Sequence, residues 1–215
     1  MKVWTRKDWK GLFKGGSQVP ERPVSEVCFA VIDSETTGLD PSKDRILSFG
    51  GVKIINGRMQ VRDTLEIFIA QDHFDANSVP IHGILKTGPN ARIPEKQALV
   101  QLGSYLEDSI LVGHHIGFDL EMIRQAQIRH GLPPLENIAL DTGRLYRKTL
   151  LKTPLVPKKP GYSLDELAKK YDISCKDRHT ALGDAYITAL AFMHILGQLN
   201  IKPGTSLREL VHIAR

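Results

Sequence analysis

The dipeptide Asn56-Gly57 separates two β-rich runs, RILSFGGVKII and RMQVRDTLEIFI. Asn-Gly favours the type I′ turn, whose twist matches that of the strands it joins, so the pair reads as a β-hairpin. The run VCFAVID, beginning near Val27, places another strand before it, and the three should form an antiparallel meander. Beyond the hairpin the hydrophobic period changes. After a Pro/Gly-rich loop around Pro80 to Pro94, Ala98, Leu99, Leu102 and Leu106 recur at helical spacing and lead into the short apolar run ILVG. A second pair follows: a helix from about Phe118 to His130, stopped by GLPP, then a short strand NIALD at 137–141. Strands joined through a helix pair in parallel, because only a crossover can return the chain to the same end of the sheet. The expectation is an α/β fold on a mixed sheet.

Three helices complete the order βββαβαβααα. Ser163 and Glu166 in YSLDELAKKY form a capping-box pattern, with Leu164, Leu167, Ala168 and Tyr171 on one face; Ser206 and Glu209 repeat it. Between them ALGDAYITALAFMHILG makes a long apolar helix, and there is no internal repeat. At 215 residues the chain suits one domain with short appendages. The Pro-containing stretch SQVPERPVS divides a basic extension, 1–25, from a main domain, 26–197, followed by a helical tail, 198–215. No apolar run approaches the roughly 18 residues of a membrane span. The opening MKVWTRKDWKGLFKGG has no continuous apolar segment, so it does not read as a secretory signal and a cytoplasmic protein is expected. Cys28 and Cys175 form neither a metal-finger spacing nor a disulfide framework.

Charge is unevenly placed within a net +5: residues 1–25 carry +4 and residues 144–178 carry +6, leaving the remainder acidic. An acidic body with a basic band is compatible with a nucleic-acid enzyme whose carboxylates lie beside a phosphate-contacting surface. A solvated lysine-rich surface fits the charge equally well.

The acids sit where solvated acids need not. Val27, Phe29, Val31, Asp33 and Glu35 share one parity of a strand. Asp119 shares a helix face with Met122, Ile123 and Ala126, and Asp184 does so with Ile187, Thr188, Ala191 and Ile195. Taken singly each has an ordinary alternative: Asp33 ends a strand, Asp119 opens a helix, Asp184 pairs with a lysine. Taken together they call for compensating cations, since converging buried carboxylates repel one another or take up protons. Oxygen ligands without a Cys or His cluster favour Mg²⁺ or Mn²⁺ over zinc. His179, five residues before Asp184, can reach a metal-bound water and suits general-base work.

DSETTGL (33–39), HHIGFD (114–119) and HTALGDA (179–185) together resemble the three motifs of the DEDDh (DnaQ-like) 3′-to-5′ exonucleases, which include the proofreading epsilon subunits of bacterial replicative polymerases. The resemblance covers roughly residues 26–197, and IHGI (81–84), LDT (140–142) and YSLDELA (162–168) look like the family's intervening segments. It implies a ribonuclease-H-like fold with a mixed five-stranded sheet flanked by helices. It also implies that Asp33, Glu35, Asp119 and Asp184 hold two Mg²⁺ or Mn²⁺ ions, with Asp33 bridging them and His179 as base. Glu35 would meet the terminal 3′-OH, Thr36, Thr37, Gly38 and Leu39 would touch the last nucleotide, and His82 would line its pocket. His115 stands where many relatives carry Asn, so the contact of that side chain is not carried over, and Phe118 reads as a packing residue.

Family motifs do not choose the substrate. The wording favours single-stranded or frayed DNA, with release of nucleoside 5′-monophosphates in proofreading or repair; an exoribonuclease is the enzymatic alternative. A non-catalytic nucleic-acid-binding or polymerase-docking module is the alternative of another class. In the loop KTLLKTPLVPKK, Lys152, Lys158 and Lys159 are candidates for backbone contacts, and Trp9, Leu12 and Phe13 make a small apolar stripe that would dock a protein, guide nucleic acid or pack back on its own domain.

Overall fold

The computed structural model describes residues 19–72, 78–85, 88, 90–150 and 161–215. The basic loop carrying Lys152, Lys158 and Lys159, and the apolar stripe of the N-terminal extension, lie outside the described residues. A mixed sheet forms the centre, made of β1 (Cys28–Thr36), β2 (Ile46–Ile55), β3 (Arg58–Ala70), β4 (Arg92–Pro94), β5 (Ile110–Gly113) and β6 (Ala139–Asp141) in the order β4-β3-β2-β1-β5-β6. The first three strands are the expected antiparallel meander, and β5 and β6 add to β1 in parallel. Among the described residues the sheet has six strands rather than five. The additional β4 pairs three residues in parallel with Phe68–Ala70, too short a run to show a period in sequence.

The helices are α1 (Val79–His82), α2 (Glu95–Leu106), α3 (Gly117–His130), α4 (Thr142–Thr149), α5 (Leu164–Lys170), α6 (Ala181–Gln198) and α7 (Leu207–Ala214). Ser163 and Glu166 make the full reciprocal box at the start of α5. At α7, Ser206 caps through the Arg208 N–H instead. Helix α4 was not expected from sequence: only Thr142, Gly143, Leu145 and Tyr146 are buried, and the residue that caps it, Asp141, also ends β6. None of the described helices is long and apolar enough to cross a membrane.

Strand alternation divides the core in two. Phe29 and Val31 face one side, where they pack with Leu145, Phe192, Ile195 and Leu210, while Ala30 and Ile32 face the other with Leu102, Leu106, Met122 and Ile123. Both faces of β1 are therefore covered by helices, which is why VCFAVI reads as a continuous apolar run. The rings of Phe29 and Phe192 meet edge-to-face at 5.2 Å, fixing α6 against β1. The segment entering β1 joins the same core: Pro23 bridges to Ser206, and the Val24 N–H donates to the Thr205 carbonyl at 2.8 Å.

One glycine sets how near α6 comes to the sheet. A Cβ on Gly50 would lie 2.1 Å from the Ala181 carbonyl carbon, so the start of α6 rests directly on the backbone of β2. Gly50 is the register partner of Asp33, so this close approach brings the first turn of α6, with Asp184, over the end of β1. Gly50→Ala is expected to lower the melting temperature by several degrees, as overpacking of about 1–3 kcal/mol does in a chain of this size. Gly103→Ala, in α2 with nothing within 4 Å of its Cβ position, should be neutral or slightly stabilising. Thermal melts of the two variants side by side check both signs.

Candidate active site

Asp33 and Glu35 stand on the face of β1 that α6 covers, and Asp184 enters from the first turn of α6. Each of the three offers a carboxylate oxygen within 4.8 Å of the others. Asp119 comes from the first turn of α3, on the opposite layer, and accepts a 2.5 Å hydrogen bond from the Ser34 hydroxyl. It stands outside the three-carboxylate group, but its charge is the largest of the neighbouring acids acting on Asp33. The anomaly noted in three segments is thus one feature: acids from β1, α3 and α6 meet at one end of the sheet.

Burial is the principal cause that raises these groups, reinforced by mutual repulsion. It lifts Glu35 to about 7 and Asp119 to about 7, and holds Asp33 and Asp184 above the ordinary carboxylate range. Arg178 opposes the effect at Asp33, Glu35 and Asp184. Its Nη1 donates to Asp184 Oδ2, while its Nε donates to Asp165 Oδ1 at 2.7 Å. Asp184 does pair with a cation, then, but with an arginine rather than a lysine. Asp184 Oδ1 also accepts the His179 backbone N–H at 3.3 Å.

His179 is exposed and its backbone is left-handed at φ 66°, so its imidazole stands at the mouth of the acidic site rather than in the core. Thr180 caps α6 by accepting the Gly183 N–H at 3.1 Å, which fixes the loop just before the helix. Across the site, the turn after β1 is held by its own side chains. Thr36 donates to the Gly38 carbonyl at 2.7 Å, and the buried Thr37 donates to Asp44 Oδ1 at 2.9 Å. A Cβ on Gly38 would collide with the Asp44 carboxylate. Leu39 projects from the tip, 84% exposed.

The register row Glu35, Ser48, Phe68, Arg92 runs across four strands. A cavity of about 260 Å³ opens one strand beyond Glu35, lined among others by Ser48, Phe68, His82, Arg92, Thr180 and Ala181. His82 is buried: its Nδ1 accepts the Ile84 N–H at 3.0 Å, so the proton rests on Nε2, 2.9 Å from the Ser78 hydroxyl. Both ring nitrogens are used in holding the α1 loop, which leaves the ring itself as the wall of the cavity.

The Exonuclease family model matches residues 30–192, spanning all four acids and His179. The chain belongs to this exonuclease family. A DNA polymerase III subunit epsilon-like protein of Rhodobacter capsulatus is 32% identical over 204 residues, covering 91% of this chain and 27% of that protein. The PolC-type DNA polymerase III of Thermotoga maritima is 32% identical over 186 residues, 86% of this chain and 13% of that one. The chain thus spans about a quarter or less of these relatives. Among solved structures, E. coli exonuclease I bound to single-stranded DNA superposes with a TM-score of 0.70 at 20% identity, covering 80% of this chain and 41% of that one. Exonuclease X in complex with 5′-overhanging duplex DNA gives 0.65 at 20% identity, covering 87% of this chain and 99% of that one. These likenesses bear out the ribonuclease-H-like fold.

In this exonuclease domain, sequence reading gave no role to Arg178, Ser34 or Asp141, although the last two lie inside the quoted segments DSETTGL and LDT. Asp141 is buried at the end of β6, accepts the Arg144 N–H at 2.8 Å, and adds to the repulsion at Asp119. Beside it His114 joins the Thr142 hydroxyl and the Tyr162 carbonyl, each at 2.9 Å, and burial drives its imidazole down to about 4. His115 lies at φ 57°, a left-handed conformation that His, like Asn, adopts more readily than most residues. Phe118 packs on the α3 side of the core.

Acids raised by burial bind protons in the folded state that the unfolded chain has already released between about pH 4 and 7. Their protonation therefore favours the fold at low pH, and that contribution is lost as pH rises towards about 7 at Glu35 and Asp119. In EDTA, Glu35→Gln is expected to flatten the fall of melting temperature with rising pH; Mg²⁺ should restore wild-type stability near neutrality and act weakly near pH 5. A wild-type/variant difference independent of pH contradicts the assignment.

Proposed function

We propose that this domain is a metal-dependent 3′-to-5′ exonuclease that hydrolyses single-stranded or frayed DNA to nucleoside 5′-monophosphates. The observation that carries the reading is the meeting of Asp33, Glu35 and Asp184 within 4.8 Å, with Asp119 against the same strand and His179 open at the mouth. The donors suit Mg²⁺ or Mn²⁺: all are carboxylate oxygens, and their protonation is raised where a single arginine is too little positive charge. Asp33, Glu35, Asp119 and Asp184 would hold two ions. Bound there, the ions would supply charge stabilisation for the attacking water and the leaving 3′ oxygen.

The chain's own residues do the rest. His179 accepts the proton of the attacking water; as the water oxygen bonds to phosphorus the bond to the 3′ oxygen breaks, and that oxygen takes a proton from solvent water as it leaves. Glu35 meets the terminal 3′-OH, the turn from Thr36 to Leu39 abuts the last nucleotide, and the His82 ring borders the cavity beside it. DNA is favoured by the names of the relatives, a polymerase subunit-like protein and PolC-type polymerases, and by the single-stranded and overhanging DNA of the structural neighbours. The same names favour a polymerase as partner.

With 5′-labelled single-stranded DNA and Mg²⁺ or Mn²⁺, stepwise shortening from the 3′ end is expected. EDTA should abolish it, Asp33→Ala should slow it by more than about a hundredfold, and His179→Gln by roughly a hundredfold or more. Faster shortening of a matched RNA would reassign the substrate, and a folded, metal-binding protein that shortens neither polymer would overturn the enzyme reading. Lys152, Lys158 and Lys159 are assigned to the phosphate backbone of the entering strand. Their joint replacement by Ala should weaken DNA binding and flatten its salt dependence by up to about two units of slope; an unchanged slope removes them from the path.

A further inference from the structure

Arg178 is held by two carboxylates that differ in surroundings. Asp165, at the start of α5, is 61% exposed and takes the edge of the guanidinium as a fork, Nε to Oδ1 at 2.7 Å and Nη2 to Oδ2 at 3.3 Å. Asp184 is 8% exposed and takes only Nη1, on Oδ2. Its other oxygen accepts the His179 N–H. The one side chain shared with the three-carboxylate cluster is therefore already engaged by a positive charge, and that charge has a second holder outside the cluster.

We infer that Arg178 is a displaceable counter-ion of the metal site, which occupies Asp184 in the metal-free protein and withdraws to Asp165 when divalent ions enter. This rests on the reading that the cluster binds such ions. A guanidinium on Asp184 Oδ2 and a divalent cation on the same carboxylate repel each other across a poorly solvated site, so each weakens the other's hold on Asp184. Asp165 lowers the cost of release. Its bidentate grip keeps the arginine in place when Nη1 lets go, and its exposure gives the displaced charge access to water. Because Arg178 adjoins His179, the exchange takes place at the base of the loop that carries the imidazole.

The test is Mn²⁺ binding by calorimetry to the full chain, without nucleic acid. Arg178→Gln removes the competitor and should tighten binding by roughly tenfold, within the coupling seen between members of one ion-pair network. Asp165→Asn removes the alternative holder, leaves the arginine on Asp184, and should weaken binding several-fold. In the Arg178→Gln background Asp165→Asn should lose most of that effect, since it acts through the arginine. A merely structural brace predicts weaker binding in both single variants, and that result overturns the inference; so does an Asp165→Asn effect undiminished in the double variant. Should Arg178→Gln fail to fold, a crystal structure of the wild-type protein with Mn²⁺ decides. Nη1 is expected off Asp184 with the Asp165 fork kept, and an unmoved arginine overturns the inference. Wild-type protein that binds no Mn²⁺ overturns the metal-site reading itself, and this inference with it.

Discussion

Four carboxylates held at one end of a sheet repel one another, and much of the surrounding structure keeps them together against that repulsion. No single element brings the acids in. Strand β1 carries two, and the first turns of α3 and α6 bring one each from opposite layers. Such convergence needs both layers pinned: Phe29 against Phe192 on one side, and the Ala30, Ile32 and Met122 packing on the other. The core thus supplies, through dispersion and apolar burial, the force that electrostatics opposes.

Local chemistry made much of this legible. The Asn-Gly hairpin, the alternation of β1 and the capping box of α5 each depend on residues a few positions apart, and each formed where the sequence indicated. The acids were legible for a different reason: a charge on an apolar stripe conflicts with its neighbours, and such conflict marks sites rather than folds. Asp33, Glu35 and Asp184 meet, with Asp119 behind Ser34.

What escaped was short or non-local. Strand β4 has three residues and owes its pairing to β3, while α4 buries too few apolar side chains to show a helical period. Arg178 lies 13 residues from Asp165 and six from Asp184, in a loop rich in charge, where nothing in the spacing singles it out. The meaning of Gly50 depends on α6, about 130 residues later in the chain.

Two histidines flank the acids on left-handed backbone, His115 at φ 57° and His179 at φ 66°. Only a narrow set of side chains tolerates that region, and β-branched residues are excluded most strongly. The backbone therefore limits substitution at both positions. At His115 the backbone alone admits Gly, Asn, Asp or His, so exchange among them leaves the chain path intact. At His179 the same steric filter applies just before α6, so a β-branched replacement there would disturb the chain path into the helix as well as remove the exposed ring.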